Sequence, residues 1–186
     1  FVRLSYEEAM ERFGTDKPDL RFGMELLDFA PFVDDSCSFQ AFHNALAKGG
    51  AVKALIVPGK ADYSRRQIEE LEEKTKVYKA HGLAWMKVSE SATLEGGVSK
   101  FFADHALVAQ GLSAKPGDLI LLVADEKKNI ACSALGAVRS QLGKDLDLCD
   151  PEVFAFAWIV DFPLFEWNEE ENRWQGKVRI GPLDLV

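Results

Sequence analysis

The chain has 186 residues, of which 47% are hydrophobic and 28% charged. That is ample apolar material for a core and rules against intrinsic disorder. A net charge of −8 argues against unaided binding to RNA or DNA, because phosphate contacts dominate nucleic-acid affinity, although one local contact face within a larger assembly is compatible with it.

No apolar run reaches the ~18 residues of a transmembrane helix. The first residues, Phe-Val-Arg-Leu-Ser-Tyr-Glu-Glu, carry no long apolar stretch and do not read as a signal peptide. The chain does not begin with Met, and the expectation is a piece of a longer polypeptide. Cys37, Cys132 and Cys149 are far apart and form no Cys-x-x-Cys pair. They read as reduced, mostly buried thiols of a cytoplasmic protein, not zinc ligands. His43, His81 and His105 fall in three separate segments, with no second ligand at helical spacing. No catalytic and no metal-binding residue is assigned from them.

In chain order, Ser5 and Glu8 form a capping box before a short helix over about 6–13, which Gly14 ends in a left-handed conformation. The stretch Gly14-Thr-Asp-Lys-Pro-Asp-Leu-Arg-Phe-Gly23 follows. Pro18 excludes it from a helix interior and from a central strand, so it reads as a rigid charged loop. A strand is expected over 24–29, a helix from Ser38 with Phe39, Phe42, Ala45 and Leu46 on one face, and a strand over 51–57 ended by Pro58-Gly59. Ser64 and Gln67 make a second capping box, opening a helix to about Ala80 with Ile68, Leu71, Thr75 and Tyr78 as its apolar stripe. Glu70–Lys74 and Glu72–Lys76 are its expected ion pairs.

The strand expected over 83–89 places Leu83, Trp85 and Lys87 on one face and Ala84, Met86 and Val88 on the other. Glu95-Gly-Gly-Val-Ser-Lys100 has a glycine pair before a lysine but not the spacing of a phosphate loop, so it reads as a turn before a helix over 101–112. Lys115-Pro-Gly-Asp118 is a turn. Residues 119–124, an unbroken apolar run, read as a strand buried on both faces. A helix with many small residues is expected over 127–142, then a polar break over 147–151. The aromatic run Phe154–Trp167 reads as a strand to about 160, a second extended piece, a hairpin turn over 168–172 and a return strand over 173–180. Asp161 and Glu166 flank its Asp-Phe-Pro-Leu-Phe-Glu segment; they have the look of a catalytic acid pair, against the preferred reading as anchors of the aromatic strand. In the chain by itself some of Phe154, Phe156, Trp158, Phe162, Phe165 and Trp167 are expected to be exposed or paired with another copy.

The order of Arg3-Leu-Ser-Tyr-Glu-Glu-Ala-Met10, Gly14-Thr-Asp-Lys-Pro-Asp-Leu-Arg-Phe22, Gly50-Ala-Val-Lys-Ala-Leu55, Gly82-Leu-Ala-Trp-Met-Lys-Val88, Pro116-Gly-Asp118, Ala134-Leu-Gly-Ala-Val-Arg139 and Phe156–Trp167 resembles bacterial-type aspartyl-tRNA synthetases from residue 1 to about 174. The resemblance implies an α+β fold: a GAD-like module of strands and amphipathic helices over 24–147, inserted into a class II catalytic domain with an antiparallel sheet. Strips of that domain would lie over 1–23 and 148–186. It implies a fragment of an aspartate–tRNA ligase, whose parent uses ATP and Mg²⁺, takes aspartate and tRNA as partners, and forms a homodimer. No membrane and no DNA partner is implied, and some relatives also charge asparagine tRNA. The class II signatures lie outside these residues, so no cofactor and no catalysis is expected of the chain by itself. After Trp174 the family leads into a His-His-Pro-Phe segment, whereas this chain reads Gln175 to Val186 without a histidine pair. Asp16, Lys17, Asp19 and Arg21 are the candidates for a place beside the substrate, against a salt-bridged structural loop. The alternative function is a stand-alone tRNA- or protein-interaction module without catalysis.

Overall fold

A computed structural model describes residues 1–168 and 171–176. Its centre is a five-stranded sheet, antiparallel throughout, in the order β2 (Leu26–Asp28), β3 (Ala51–Val57), β6 (Leu119–Asp125), β4 (Ala84–Val88) and β5 (Leu94–Glu95). The unbroken apolar run of β6 is explained by its place in the middle, paired to β3 on one side and β4 on the other. On one face, α3 (Arg65–Lys76) and α5 (Lys128–Asp145) bury Ile68, Leu71, Leu135, Val138 and Leu142 against Leu55, Leu119 and Leu121. On the other, α2 (Gln40–Ala47), α4 (His105–Gly111) and short 3₁₀ turns bury Phe42, Val108 and Phe102 against Val52, Met86 and Ile120. β4 alternates as expected: Leu83 and Trp85 join the first layer, Ala84, Met86 and Val88 the second.

Both capping boxes form. Ser5 caps α1 (Tyr6–Phe13), and Gly14 closes it with φ of 69°. Ser64 caps α3 in the same way. The Lys115–Asp118 turn closes with the Asp118 amide donating to the Lys115 carbonyl at 3.0 Å. The buried Asp118 carboxylate accepts from the Gly59 and Lys115 amides, tying that turn to the Pro58-Gly59 turn.

Several expectations need correction. α3 ends at Lys76, not Ala80, and Tyr78 is exposed, so the helix stops once its buried stripe reaches Thr75. Its ion pairs are Arg65–Glu69, Arg66–Glu70 and Glu73–Lys76 in place of Glu70–Lys74 and Glu72–Lys76, because Arg66 and Glu73 take the partners first. The helix expected from Phe101 begins at His105, where the Asp104 carboxylate accepts the Leu107 amide. Phe102 is extended and bridges Cys37 instead. α2 starts at Gln40 without a side-chain cap from Ser38, whose amide donates to the Phe101 carbonyl.

The two ends of the chain meet. β1 (Val2–Ser5), not foreseen in the sequence, pairs in parallel with β7 (Ala157–Val160), a separate two-stranded sheet. β8 (Phe165–Asn168) and β9 (Arg173–Gly176) form an antiparallel hairpin, with Trp167 and Trp174 rings edge to face at 5.6 Å. The part of the return strand expected beyond Gly176, and the atypical end to Val186, lie outside the described residues.

Candidate functional site

The loop over 14–23 runs from the end of α1 across one side of α5. Its local turns are set by short polar side chains. Thr15 accepts from the Lys17 amide at 3.2 Å, and Asp19 accepts from the Arg21 amide at 3.0 Å. The Arg21 guanidinium forks onto the Asp19 carboxylate, with contacts of 3.0 and 2.7 Å, and reaches the Asp150 carbonyl at 3.3 Å. The Cys149 thiol also donates to Asp19, at 3.3 Å. Hydrogen bonding to Arg21 holds the Asp19 carboxyl well below the usual carboxylate range. Burial, and then Asp19 itself, push the Cys149 thiol up. Asp19 and Arg21 therefore satisfy each other and join the loop to the segment leading into β7.

The support beneath the loop is Arg139, which sequence reasoning missed. This α5 side chain is 0% exposed. Its Nε donates to the Met24 carbonyl at 3.0 Å, and Nη2 stands 2.9, 3.0 and 2.9 Å from the carbonyls of Asp19, Phe22 and Gly23. The guanidinium carbon lies 4.9 Å from the Phe13 ring centroid and 4.1 Å from that of Phe22. Main-chain oxygens thus receive the charge edge-on, and two aromatic faces cover it. Burial pulls the Arg139 pKa down, while the Asp19 and Glu25 charges push it back. Nη1 is buried and has no hydrogen-bond partner among the described residues.

The helix approaches the loop this closely because the same face of α5 carries small residues. A Cβ on Gly136 would stand 2.6 Å from the Phe13 carbonyl oxygen and 2.8 Å from Gly14 Cα. A Cβ on Gly143 would meet the Phe22 ring at 2.5 Å. Cys132, Gly136, Arg139 and Gly143 recur at intervals of three and four, one stripe of a helix. The signal available in the sequence was the lone arginine in the small, apolar run Ala134-Leu-Gly-Ala-Val-Arg139. A second anchor lies one turn back. Glu11 of α1 accepts from Lys53 at 2.5 Å and also pairs with Lys128. Burial works against its charge, but these two ammonium groups hold its pKa below the ordinary value.

The four expected residues are therefore brought together but divide in role. Asp19 and Arg21 hold the loop. Asp16 and Lys17 make no side-chain hydrogen bond or ion pair among the described residues. Both border an open cleft of about 670 Å³ between the loop and the run from Pro151 to Ile159, whose Phe154 and Phe156 rings stack at 6.1 Å. Asp16 also borders a polar cleft of about 670 Å³ over α5, with Ser133, Ser140, Lys74 and Glu166. Asp161, left-handed at φ of 58°, follows β7, and Glu166 in β8 accepts from Gln175 at 3.5 Å. Among the described residues no group of three or more His, Cys, Asp or Glu stands close enough to hold a metal ion.

The GAD domain family matches residues 42–135, just over half of the chain and most of the five-stranded sheet with its helices. The chain belongs to the GAD domain family. Similarity to curated proteins runs beyond the GAD match on both sides. An aspartate–tRNA(Asp/Asn) ligase of Treponema denticola is 62% identical over 177 residues, 94% of this chain and 30% of that protein. The ligase of the same name from Anoxybacillus flavithermus is 51% identical over 177 residues, 94% of this chain and 29% of its own length. An aspartate–tRNA ligase of Lactiplantibacillus plantarum is 48% identical over 178 residues, again 94% of this chain and 29% of that protein. The GAD chain thus spans about 30% of the length of the relatives it matches. Among the described residues no helix is long and apolar enough to cross a membrane.

Proposed function

We propose that this chain is the GAD-bearing portion of an aspartate–tRNA ligase, with residues 24–147 as an inserted module and residues 1–23 and 148–186 as strips of the catalytic domain. The observation that carries the reading is similarity over 94% of the chain to ligases of which it spans only 30%. The parallel pairing of β1 with β7 supports the insertion, because the chain leaves a body and returns to the same place. The parent acts in the cytoplasm as a homodimer, activates aspartate with ATP and esterifies it to tRNA. Mg²⁺ offsets phosphate charge in such a transfer. Among the described residues no group of three or more His, Cys, Asp or Glu stands close enough to hold it. This chain contributes the clamped loop, with Asp16 and Lys17 open beside the substrate and Asp19 and Arg21 holding them there.

Two measurements test the reading. The purified chain is expected to show no aspartate-dependent exchange of pyrophosphate into ATP, whereas the full-length polypeptide carrying it exchanges and charges aspartate tRNA. Exchange by the chain alone, or none by the full-length polypeptide, overturns it. The second reading, a stand-alone interaction module, draws on the closed two-layer core over both faces of the sheet. Micromolar, salt-sensitive binding of tRNA by the chain without ATP favours it.

A further inference from the structure

We infer that Arg139 is a positioning residue that acts through Lys17, and that Lys17 takes a phosphate group of a substrate. The inference rests on the ligase reading for its function and on geometry for its mechanism. Among the described residues Arg139 is the most deeply buried cation, yet it meets no carboxylate in a direct hydrogen bond there. All of its bonds go to carbonyls of one loop, at Asp19, Phe22, Gly23 and Met24. A buried charge spent on main-chain oxygens fixes backbone, and the two phenyl faces around it prevent the loop from sliding along α5.

What the fixed loop presents is Lys17. Arg21 is paired with Asp19, and Lys53 and Lys128 share the Glu11 carboxylate. Pro18 stiffens the backbone beside it. Lys17 borders the cleft that Phe154 and Phe156 also line, and its side chain has no intramolecular partner among the described residues. Both proposed substrates, ATP and tRNA, are polyanions, and an open cation on a rigid loop is suited to one phosphate oxygen.

The test uses Arg139→Lys, Lys17→Ala and the double variant in the full-length polypeptide, with hydrogen exchange on the chain itself as a readout independent of activity. Arg139→Lys keeps the charge but loses the fork and the stacking, and a thermal melt checks that it is folded. It is expected to raise amide exchange over 15–24 selectively and to lower kcat/KM by about tenfold or more, the scale of one hydrogen bond to a charged group. Lys17→Ala is expected to leave exchange unchanged and lower kcat/KM comparably. Once Lys17 is absent, Arg139→Lys is expected to cost little more, because one variant has already removed what the other positions. Loss confined to tRNA charging, with the salt dependence of tRNA binding reduced by about one contact, assigns the phosphate to tRNA. Equal loss in pyrophosphate exchange assigns it to ATP. Additive effects, or unchanged loop exchange in Arg139→Lys, overturn the inference. A wild-type polypeptide without aspartate-dependent activity overturns the ligase reading and the role of Lys17 together, while loop exchange still judges the Arg139 pin by itself.

Discussion

Gly136 and Gly23 are both small residues at the clamped loop, and the structure separates what each is for. At Gly136 an added methyl would enter the backbone of Phe13 and Gly14 at 2.6–2.8 Å, and neither neighbour is a flexible side-chain end. Gly136→Ala is expected to destabilise the chain by about 1–3 kcal/mol through overpacking. At Gly23 nothing lies within 4 Å of the new Cβ, so Gly23→Ala is expected to be neutral or to stabilise by up to about 1 kcal/mol through the unfolded state. Paired urea melts that gave the two variants equal midpoints would show that α5 does not need its close approach to α1. Asp19 gives a prediction in pH. Its folded-state pKa is depressed by Arg21, so its contribution is full above the unfolded value of about 3.9 and is lost only as pH falls through the lower folded value. The stability gap between wild type and Asp19→Asn is expected to persist to about pH 4 and to close below it. A gap already closed at pH 5–6 would mean that the Arg21 fork does not form in solution.

Helix α1 is held to the sheet by Glu11, which reaches Lys53 on β3 and Lys128 on α5 at once. Lys53 is only 5% exposed, so removing its partner leaves a nearly dry ammonium group. Glu11→Gln is expected to cost about 1–3 kcal/mol, and adding Lys53→Met is expected to recover part of that loss, because the stranded charge goes too. A double variant less stable than Glu11→Gln would place the value of Lys53 in its packing instead. At the scale of elements, the sequence was most readable where structure is set locally. Ser5 and Ser64 with their partners three residues on, Gly14 after α1, the Lys115–Asp118 turn and the alternation of β4 all rest on neighbours in the chain. What it concealed depends on distant partners. β1 exists because Val2–Ser5 meets Ala157–Val160, and Arg139 is defined by carbonyls at 19–24. Among the candidate site residues, the four charges were visible as a cluster, but their division into holding and open groups depended on Cys149, Asp150 and Arg139.

The whole molecule is closed on one side and open on the other. Both faces of the five-stranded sheet are covered, and its core residues are nearly all inaccessible. The sheet formed by the two chain ends is covered on one face, where Leu4 is buried beside α1, and among the described residues its other face is open. Phe154 is 76% exposed and Trp158 64%, and Phe156, Phe162, Phe165 and Trp167 are exposed as the sequence led one to expect. Phe1, Leu164 and Trp174 are exposed as well. Few of these rings are fixed by more than one neighbour: Phe1 meets Phe156 edge to face at 5.6 Å, and Tyr6 lies 5.3 Å from Phe162. Apolar surface of this extent drives association when its natural cover is missing. The chain by itself is therefore expected to self-associate with rising concentration and to bind a hydrophobic dye while its melting transition stays cooperative. Phe156→Glu combined with Trp158→Glu is expected to reduce both effects with little loss of melting temperature, because neither ring belongs to the buried core. Core substitutions such as Leu121→Ala should do the reverse, lowering stability by about 2–5 kcal/mol. Sedimentation and dye binding across a concentration series distinguish these outcomes. If the charged pair abolished the cooperative transition, the end-strand sheet would be an integral part of the folding unit, and the division between module and flanking strips would have to be redrawn.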